Sequence, residues 1–196
     1  MKSLPHIRSP TVLGMSRILP ATLSGESRDR VELGLPGMQE QLVRAIAATG
    51  TPVVVLLMNG RPLAIPWIAE HIPALLEVWL PGEEDGQAVA DVLFGDVNPG
   101  GKLPISFPRA VRQLPVYYNH KPSGGRSHWK GNYVELSTTP LFPFGYGLSY
   151  TSFAYANLRL DRRQVVPTGQ VAISIAISNI GGRAGDEVVQ LYTHDV

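Results

Sequence analysis

The residues able to do chemistry fall in a few short stretches. Glu26 sits in Ser24-Gly25-Glu26-Ser27, where Gly25 lets the backbone turn freely and the carboxyl project from a loop. Arg28 and Arg30 follow it, so the same side chain also fits a surface ion pair of little energetic value. Cationic neighbours hold a carboxyl pKa low, whereas a general acid needs it raised. Glu83, Glu84 and Asp85 form the densest acidic cluster, readable as a carboxylate pair or metal group, or as negative charge set against the N-terminal dipole of the next helix. Asn59-Gly60-Arg61-Pro62 lies just past an apolar run, at the ligand edge of an open α/β sheet, where Arg61 either fixes its own loop or meets a ligand. A later loop carries Tyr117, Tyr118, His120, Arg126, His128, Trp129 and Tyr133, which offer stacking faces and hydroxyl partners of the kind a sugar ring needs. Arg126 and Trp129 are its candidate substrate contacts, with packing of Tyr117 and Tyr118 under the loop as the competing account. The two histidines lack zinc spacing and a third ligand, and Gly100-Gly101-Lys102 runs into Leu-Pro where a phosphate loop needs a helix. Neither a metal nor a cofactor is expected.

The elements that must position these groups are legible in the periodicity. Met38, Leu42, Val43, Ile46 and Ala47 recur at helical spacing after Pro36, with Gly50 as a stop. Val53 to Met58 predicts a strand buried on both faces, closed by Asn59-Gly60. A short helix over Pro66 to Ile72, a second buried strand over Ala74 to Leu80 and a helix over Asp85 to Phe94 closed by Gly95 complete an α/β pattern with parallel neighbouring strands. Pro99 to Phe144 reads mainly as loop, too long to be idle in a compact domain. Gln170 to Ser178 alternates strictly and Glu187 to Tyr192 is strand-like again, the opening of an antiparallel β-sandwich that the chain leaves incomplete.

Composition narrows the partners. The 196 residues make one ordinary domain, or one domain and part of another, and 44% hydrophobic residues are enough for a core. Seventeen Lys+Arg against sixteen Asp+Glu leave a formal charge of +1, which provides no electrostatic footprint for nucleic acid or an anionic membrane. With no cysteine, a disulfide framework and a thiolate nucleophile are both excluded. The longest apolar run, Val53 to Met58, falls far short of the roughly 20 residues of a membrane helix. Pro5, Arg8, Pro10, Arg17 and Pro20 break up the first residues, so no secretory signal is expected in this chain, and the compartment stays unread.

Taken in order, several motifs resemble the C-terminal α/β domain of family 3 glycoside hydrolases, the β-glucosidase-like enzymes. They are Ser24-Gly25-Glu26-Ser27-Arg28-Asp29-Arg30, Leu35-Pro36-Gly37-Met38-Gln39, Asn59-Gly60-Arg61-Pro62-Leu63 and Trp79-Leu80-Pro81-Gly82-Glu83-Glu84, followed by Ala90 to Pro104 and Phe142 to Tyr150. From Phe153, Ser178-Asn179-Ile180-Gly181 and Gly185 to Tyr192 look like the start of the fibronectin type III-like domain that often follows. The resemblance implies part of an α/β sandwich with a mainly parallel sheet over 22–152, N-terminally truncated, an incomplete β-sandwich module over 153–196, and an unmatched stretch at 1–21. It implies hydrolysis of O-glycosidic bonds with retention, on an oligosaccharide or glycoside substrate. Glu26 matches the family's acid/base position. The nucleophilic aspartate belongs to a (β/α)8 barrel that nothing here matches, so the chain alone is expected to be inactive. The other reading is a non-catalytic structural or carbohydrate-contacting remnant.

Overall fold

The computed structural model describes residues 30–119, 126–127, 131–132 and 135–194. They form two compact units, one of the residues up to Asp85 together with Leu103–Gly145, the other of Gly86–Lys102 together with the residues from Tyr146 on.

The first unit holds the α/β elements. Helix α1 spans Gln39–Ala47 and buries Val43. It starts later than Pro36 suggests because Gly37 adopts a left-handed φ of 57°, from which a helix cannot propagate backwards. An exposed Arg44–Glu40 pair at 2.6 Å adds a few tenths of a kcal/mol to the helix, in the order i,i+4. Strand β1, Val54–Leu57, pairs in parallel with β2, Ala74–Glu77, and helix α2, Pro66–His71, makes the crossover. Pro66 begins α2, where its missing N–H costs nothing. Only one side of β1 is covered by the described residues: Leu57 is 4% exposed, but Val54 is 45% exposed, so the expected burial on both faces is not met.

The core of this unit is Val43, Leu57, Leu63, Ile65, Ile68, Ile72 and Phe107. The long loop contributes to it. Phe107 donates its N–H to the Phe142 carbonyl and accepts from the Leu141 N–H, each at 2.8 Å, which ties two distant loop segments together. Their rings meet edge to face, 6.1 Å apart. A stretch read as loop is thus pinned at its base, and a small antiparallel pair, β3 (Arg126–Ser127) with β4 (Gly131–Asn132), forms within it.

The second unit contains helix α3, Asp85–Phe94, from its second residue on, ended by Gly95 at a φ of 86°. It also contains the antiparallel hairpin β5 (Phe153–Leu160) and β6 (Ile173–Asn179), with a register shift between Ala156 and Arg159 where Asn157 takes a positive φ. Asn98 ties the unit together: its Oδ1 accepts from Ser149 Oγ at 3.1 Å and from the Tyr150 N–H at 2.8 Å. Glu187 to Tyr192, expected as a strand, has no ladder. The start of the segment is instead drawn to the loop after α3 by the half-buried Lys102–Glu187 ion pair at 3.3 Å and by the close approach of Asp186 to Gly100.

Ile68→Ala is expected to cost about 2–5 kcal/mol, because Ile68 is wholly buried and its neighbours cannot collapse fully into the space left. Urea unfolding followed by tryptophan fluorescence measures this, and a loss below 1 kcal/mol would show a pliant core. A second expectation concerns the hairpin. Register puts Tyr155 and Leu160 on the same face as Ile173, Ile175 and Ile177, all substantially exposed. The chain should therefore self-associate at micromolar concentration, and Ile175→Lys should shift its sedimentation toward monomer. Identical sedimentation of the two proteins would acquit this face.

Candidate functional site at the parallel strand ends

Parallel pairing brings the ends of β1 and β2 to one edge. Leu57 lies opposite Glu77, and the ladder continues one step further through the Val78 N–H to the Leu57 carbonyl at 3.0 Å. Asn59 follows β1 and Glu77 closes β2, so an amide and a carboxyl meet: Asn59 Nδ2 lies 3.4 and 3.3 Å from the two Glu77 oxygens. Those contacts are long. The shorter bond is from the Trp79 N–H to Glu77 Oε1, at 2.9 Å.

Trp79 has a φ of 53°, a conformation that bulky side chains seldom adopt and that costs about 1–3 kcal/mol. Two contacts hold it there, the bond to Glu77 and the packing of its ring on Phe107 at 5.9 Å. The chain thus turns sharply as it leaves the sheet. Asn59 makes a second turn on its own side, its Oδ1 accepting from the Arg61 N–H at 3.2 Å. The Arg61 side chain then reaches back along the chain, and Nη1 donates to the Arg30 carbonyl at 2.6 Å. Leu33 is held to the same loop by the Ala64 N–H at 2.8 Å, and Arg30 Nη2 donates to the Gly34 carbonyl at 2.9 Å. Glu77, Asn59 and Arg61 therefore form one connected group whose far end grips residues 30–34.

Burial pushes the Glu77 carboxyl up to about 7, against the opposing pull of the Trp79 N–H and the Asn59 amide. A group so placed can hold or release a proton near neutrality. Glu77 is absent from the sequence candidates because the apolar run around it reads as a buried strand. The signal was there: a carboxylate inside an apolar run is the anomaly that asks for a partner.

The sequence candidates stand as follows. Glu26 and Trp129 lie outside the described residues, as do His120, His128 and Tyr133. Arg126 is described by its backbone, which pairs with Asn132 in the β3–β4 ladder. Tyr117 is exposed, and Tyr118 stacks on Phe144 at 4.5 Å, so packing accounts for one tyrosine of the pair. Asp85 occupies the first turn of α3, with Glu83 and Glu84 exposed just before it, the arrangement of dipole complementation. Arg61 grips main chain, which is the loop-fixing alternative. Among the described residues no three His, Asp or Glu side chains gather as a metal site, and no helix is long and apolar enough to cross a membrane.

The Glu77 shift carries a pH dependence. Its folded pKa lies above its unfolded one, so between about pH 4.5 and 7 the folded state binds the extra proton and stability falls as pH rises through that window. Allowing for partial solvent contact, Glu77→Gln should raise stability at pH 8 by about 1–2 kcal/mol and flatten the slope. Chemical denaturation at pH 5 and pH 8 is the measurement. An unchanged slope in the variant would place the titration elsewhere.

Known proteins agree with this architecture. The glycosyl hydrolase family 3 C-terminal domain matches residues 11–150, a match that begins inside the stretch expected to be unmatched. The chain is 53% identical to a β-xylosidase of Formosa agariphila over 87% of its own length and 24% of that protein's. It is 44% identical to a periplasmic β-glucosidase of Salmonella typhimurium, over 89% and 24% respectively. Among solved structures, a β-glucosidase from Erythrobacter marinus superposes with a TM-score of 0.74 at 46% identity, covering 83% of this chain and 21% of that one. A glucose complex of a Listeria innocua β-glucosidase gives 0.63 at 31% identity, covering 83% and 28%. The chain thus spans about a quarter of the length of the curated relatives it matches. By sequence and by fold, it belongs to the C-terminal domain family of family 3 glycosyl hydrolases.

Proposed function

We propose that this chain is the acid/base-bearing part of a retaining β-glycosidase acting on glucosides or xylosides, with Glu26 as the acid/base. The observation that carries the reading is Glu26 itself, within Ser24-Gly25-Glu26-Ser27-Arg28-Asp29-Arg30, inside the matched residues 11–150. Relatives named β-xylosidase and β-glucosidase supply the substrate class. Retaining hydrolysis needs two carboxyl groups about 5–5.5 Å apart, one to attack the anomeric carbon and one to protonate the leaving oxygen and later deprotonate water. Glu26 takes the second role, and an aspartate on a (β/α)8 barrel outside this chain takes the first. Residues 22–152 act as the α/β domain and 153–196 as the start of a fibronectin type III-like module. Arg126, which opens β3, and Trp129, between β3 and β4 in sequence, contact the sugar on the leaving-group side. No cofactor takes part in this chemistry.

The chain alone should give no turnover of aryl β-glucosides above buffer, because one carboxyl without a nucleophile cannot form the glycosyl intermediate. In the full-length protein, Glu26→Ala should slow alkyl glucosides by about 10²- to 10⁴-fold and activated aryl glucosides much less in the glycosylation step. Azide should accelerate the variant by attacking the intermediate without a general base. Unchanged turnover of an alkyl glucoside would rule Glu26 out as the acid, and Glu32 and Glu135, both exposed, would be examined next. Full activity of the isolated chain would remove the need for a barrel.

A further inference from the structure

We infer that Asn59 is a site of self-modification: the strand-end group converts its side-chain amide to a carboxyl through a cyclic imide formed with the Gly60 main-chain nitrogen. Asn59-Gly60 is the single Asn-Gly pair in the 196 residues. Gly60 is exposed and has no Cβ to hinder its nitrogen from reaching the Asn59 side-chain carbon. Such a pair reacts slowly in any unfolded chain, and a fold ordinarily slows it further by holding the side chain away. Here the fold supplies what the reaction needs.

Three groups surround the amide. Asn59 Oδ1 accepts from the Arg61 N–H at 3.2 Å, and the ring closed by that bond contains the Gly60 nitrogen, so the amide carbon is curled over the peptide it reacts with. The same N–H stabilises the charge that gathers on Oδ1 when the carbon is attacked. On the other side, Nδ2 lies 3.4 Å from Glu77 Oε1 and 3.3 Å from Oε2. The Trp79 N–H occupies Oε1 at 2.9 Å, which leaves the proton of the neutral acid to Oε2, the oxygen nearer the amide. Burial pushes this carboxyl up to about 7, so near neutrality a large share of it carries that proton, where an ordinary glutamate carries almost none. Among the described residues, burial, the Trp79 N–H and the Asn59 amide set this balance, while Arg61 directs Nη1 to the Arg30 carbonyl.

The Gly60 nitrogen gives its proton to water and bonds to Asn59 Cγ, the carbonyl electron pair moving onto Oδ1. Nδ2 becomes pyramidal, gains a lone pair and accepts the proton from Glu77. The pair returns from Oδ1, the Cγ–Nδ2 bond breaks, ammonia leaves, and Glu77 regains a proton from water. Water then opens the imide at either carbonyl, leaving aspartate or isoaspartate at position 59. The sum is amide and water to acid and ammonia. The product alters the corner: a carboxylate at 59 faces Glu77 at the former amide distance, where like charge opposes ionisation of both. Isoaspartate also adds a methylene to the main chain between β1 and Arg61.

The test ages the full-length protein near neutral pH, folded and in denaturant, and follows position 59 by peptide mapping that separates asparagine, aspartate and isoaspartate. In the folded parent Asn59 should convert about 10-fold faster than in the unfolded one, less than the roughly 10²- to 10⁴-fold of a well-placed acid because the contact is long. Glu77→Gln, which keeps the shape and removes the acid, should bring the folded rate down to the unfolded one or below it, and leave the unfolded rate unchanged. Glu77→Asp, whose carboxyl is withdrawn by a methylene, should do the same, and it answers if Glu77→Gln fails to fold. Gly60→Ala should slow conversion in both states, and isoaspartate should form in the parent, the marks of the imide. A folded parent that converts no faster than the unfolded chain overturns the inference. So do equal folded rates in the parent and the Glu77 variants, and a product that is aspartate alone, which would mean direct hydrolysis.

Discussion

The parallel pairing of β1 with β2 is the constraint from which the strand-end site follows. In a parallel pair both C-terminal ends lie at the same edge, so whatever follows Leu57 must meet whatever follows Leu76. Asn59 and Glu77 are neighbours for this reason and no other, being eighteen residues apart in sequence. The crossover by α2 packs Ile68 into the core beneath them, and the core fixes the spacing of the strands. A change that moved β2 by one residue would turn Glu77 to the opposite face and break the group at its centre.

Burial and hydrogen bonding oppose each other at Glu77. Desolvation disfavours its charge, while the Trp79 N–H and the Asn59 amide favour it, and burial prevails. The N–H that partly restores the charge belongs to a residue held in a left-handed conformation. The strain at Trp79 is thus coupled to the carboxyl: the turn presents the donor, and the donor helps keep the turn. Phe107, drawn in by the loop bridge to Phe142, presses on the Trp79 ring and links this corner to the same core that holds the strands.

Much of the fold was legible because it rests on local rules. The spacing of Leu42, Val43, Ile46 and Ala47 announced α1, Gly95 marked the end of α3, and the strict alternation over Gln170 to Ser178 announced β6, which starts at Ile173. Where the reading missed, a non-local contact decided. Glu187 to Tyr192 carries a strand-like sequence, but the ion pair of Glu187 with Lys102 and the close approach of Asp186 to Gly100 hold the start of that segment away from a ladder. The loop after Pro99 showed no period because its order comes from Phe107 and Phe142, thirty-five positions apart, rather than from its neighbours. For the site, residue type drew attention to Asn59 and Arg61 but could not choose between a ligand and a carbonyl as the partner of Arg61. Glu77 was hidden by its apolar company.

The hydrogen bonds of the group differ in what they can withstand. The Asn59 amide contacts to Glu77 are long and weak, so they orient rather than bind, and an uncharged Glu77 would still offer its carbonyl oxygen to the same donor. Protonation near neutrality therefore need not open the corner. The Arg61 bond to the Arg30 carbonyl differs in kind, since its donor carries a permanent charge and its acceptor carries none. That bond is insensitive to pH across the range in which Glu77 titrates. The main chain at Arg30 is thus secured by the member of the group that does not titrate, while the member that does is kept a link away, behind Asn59.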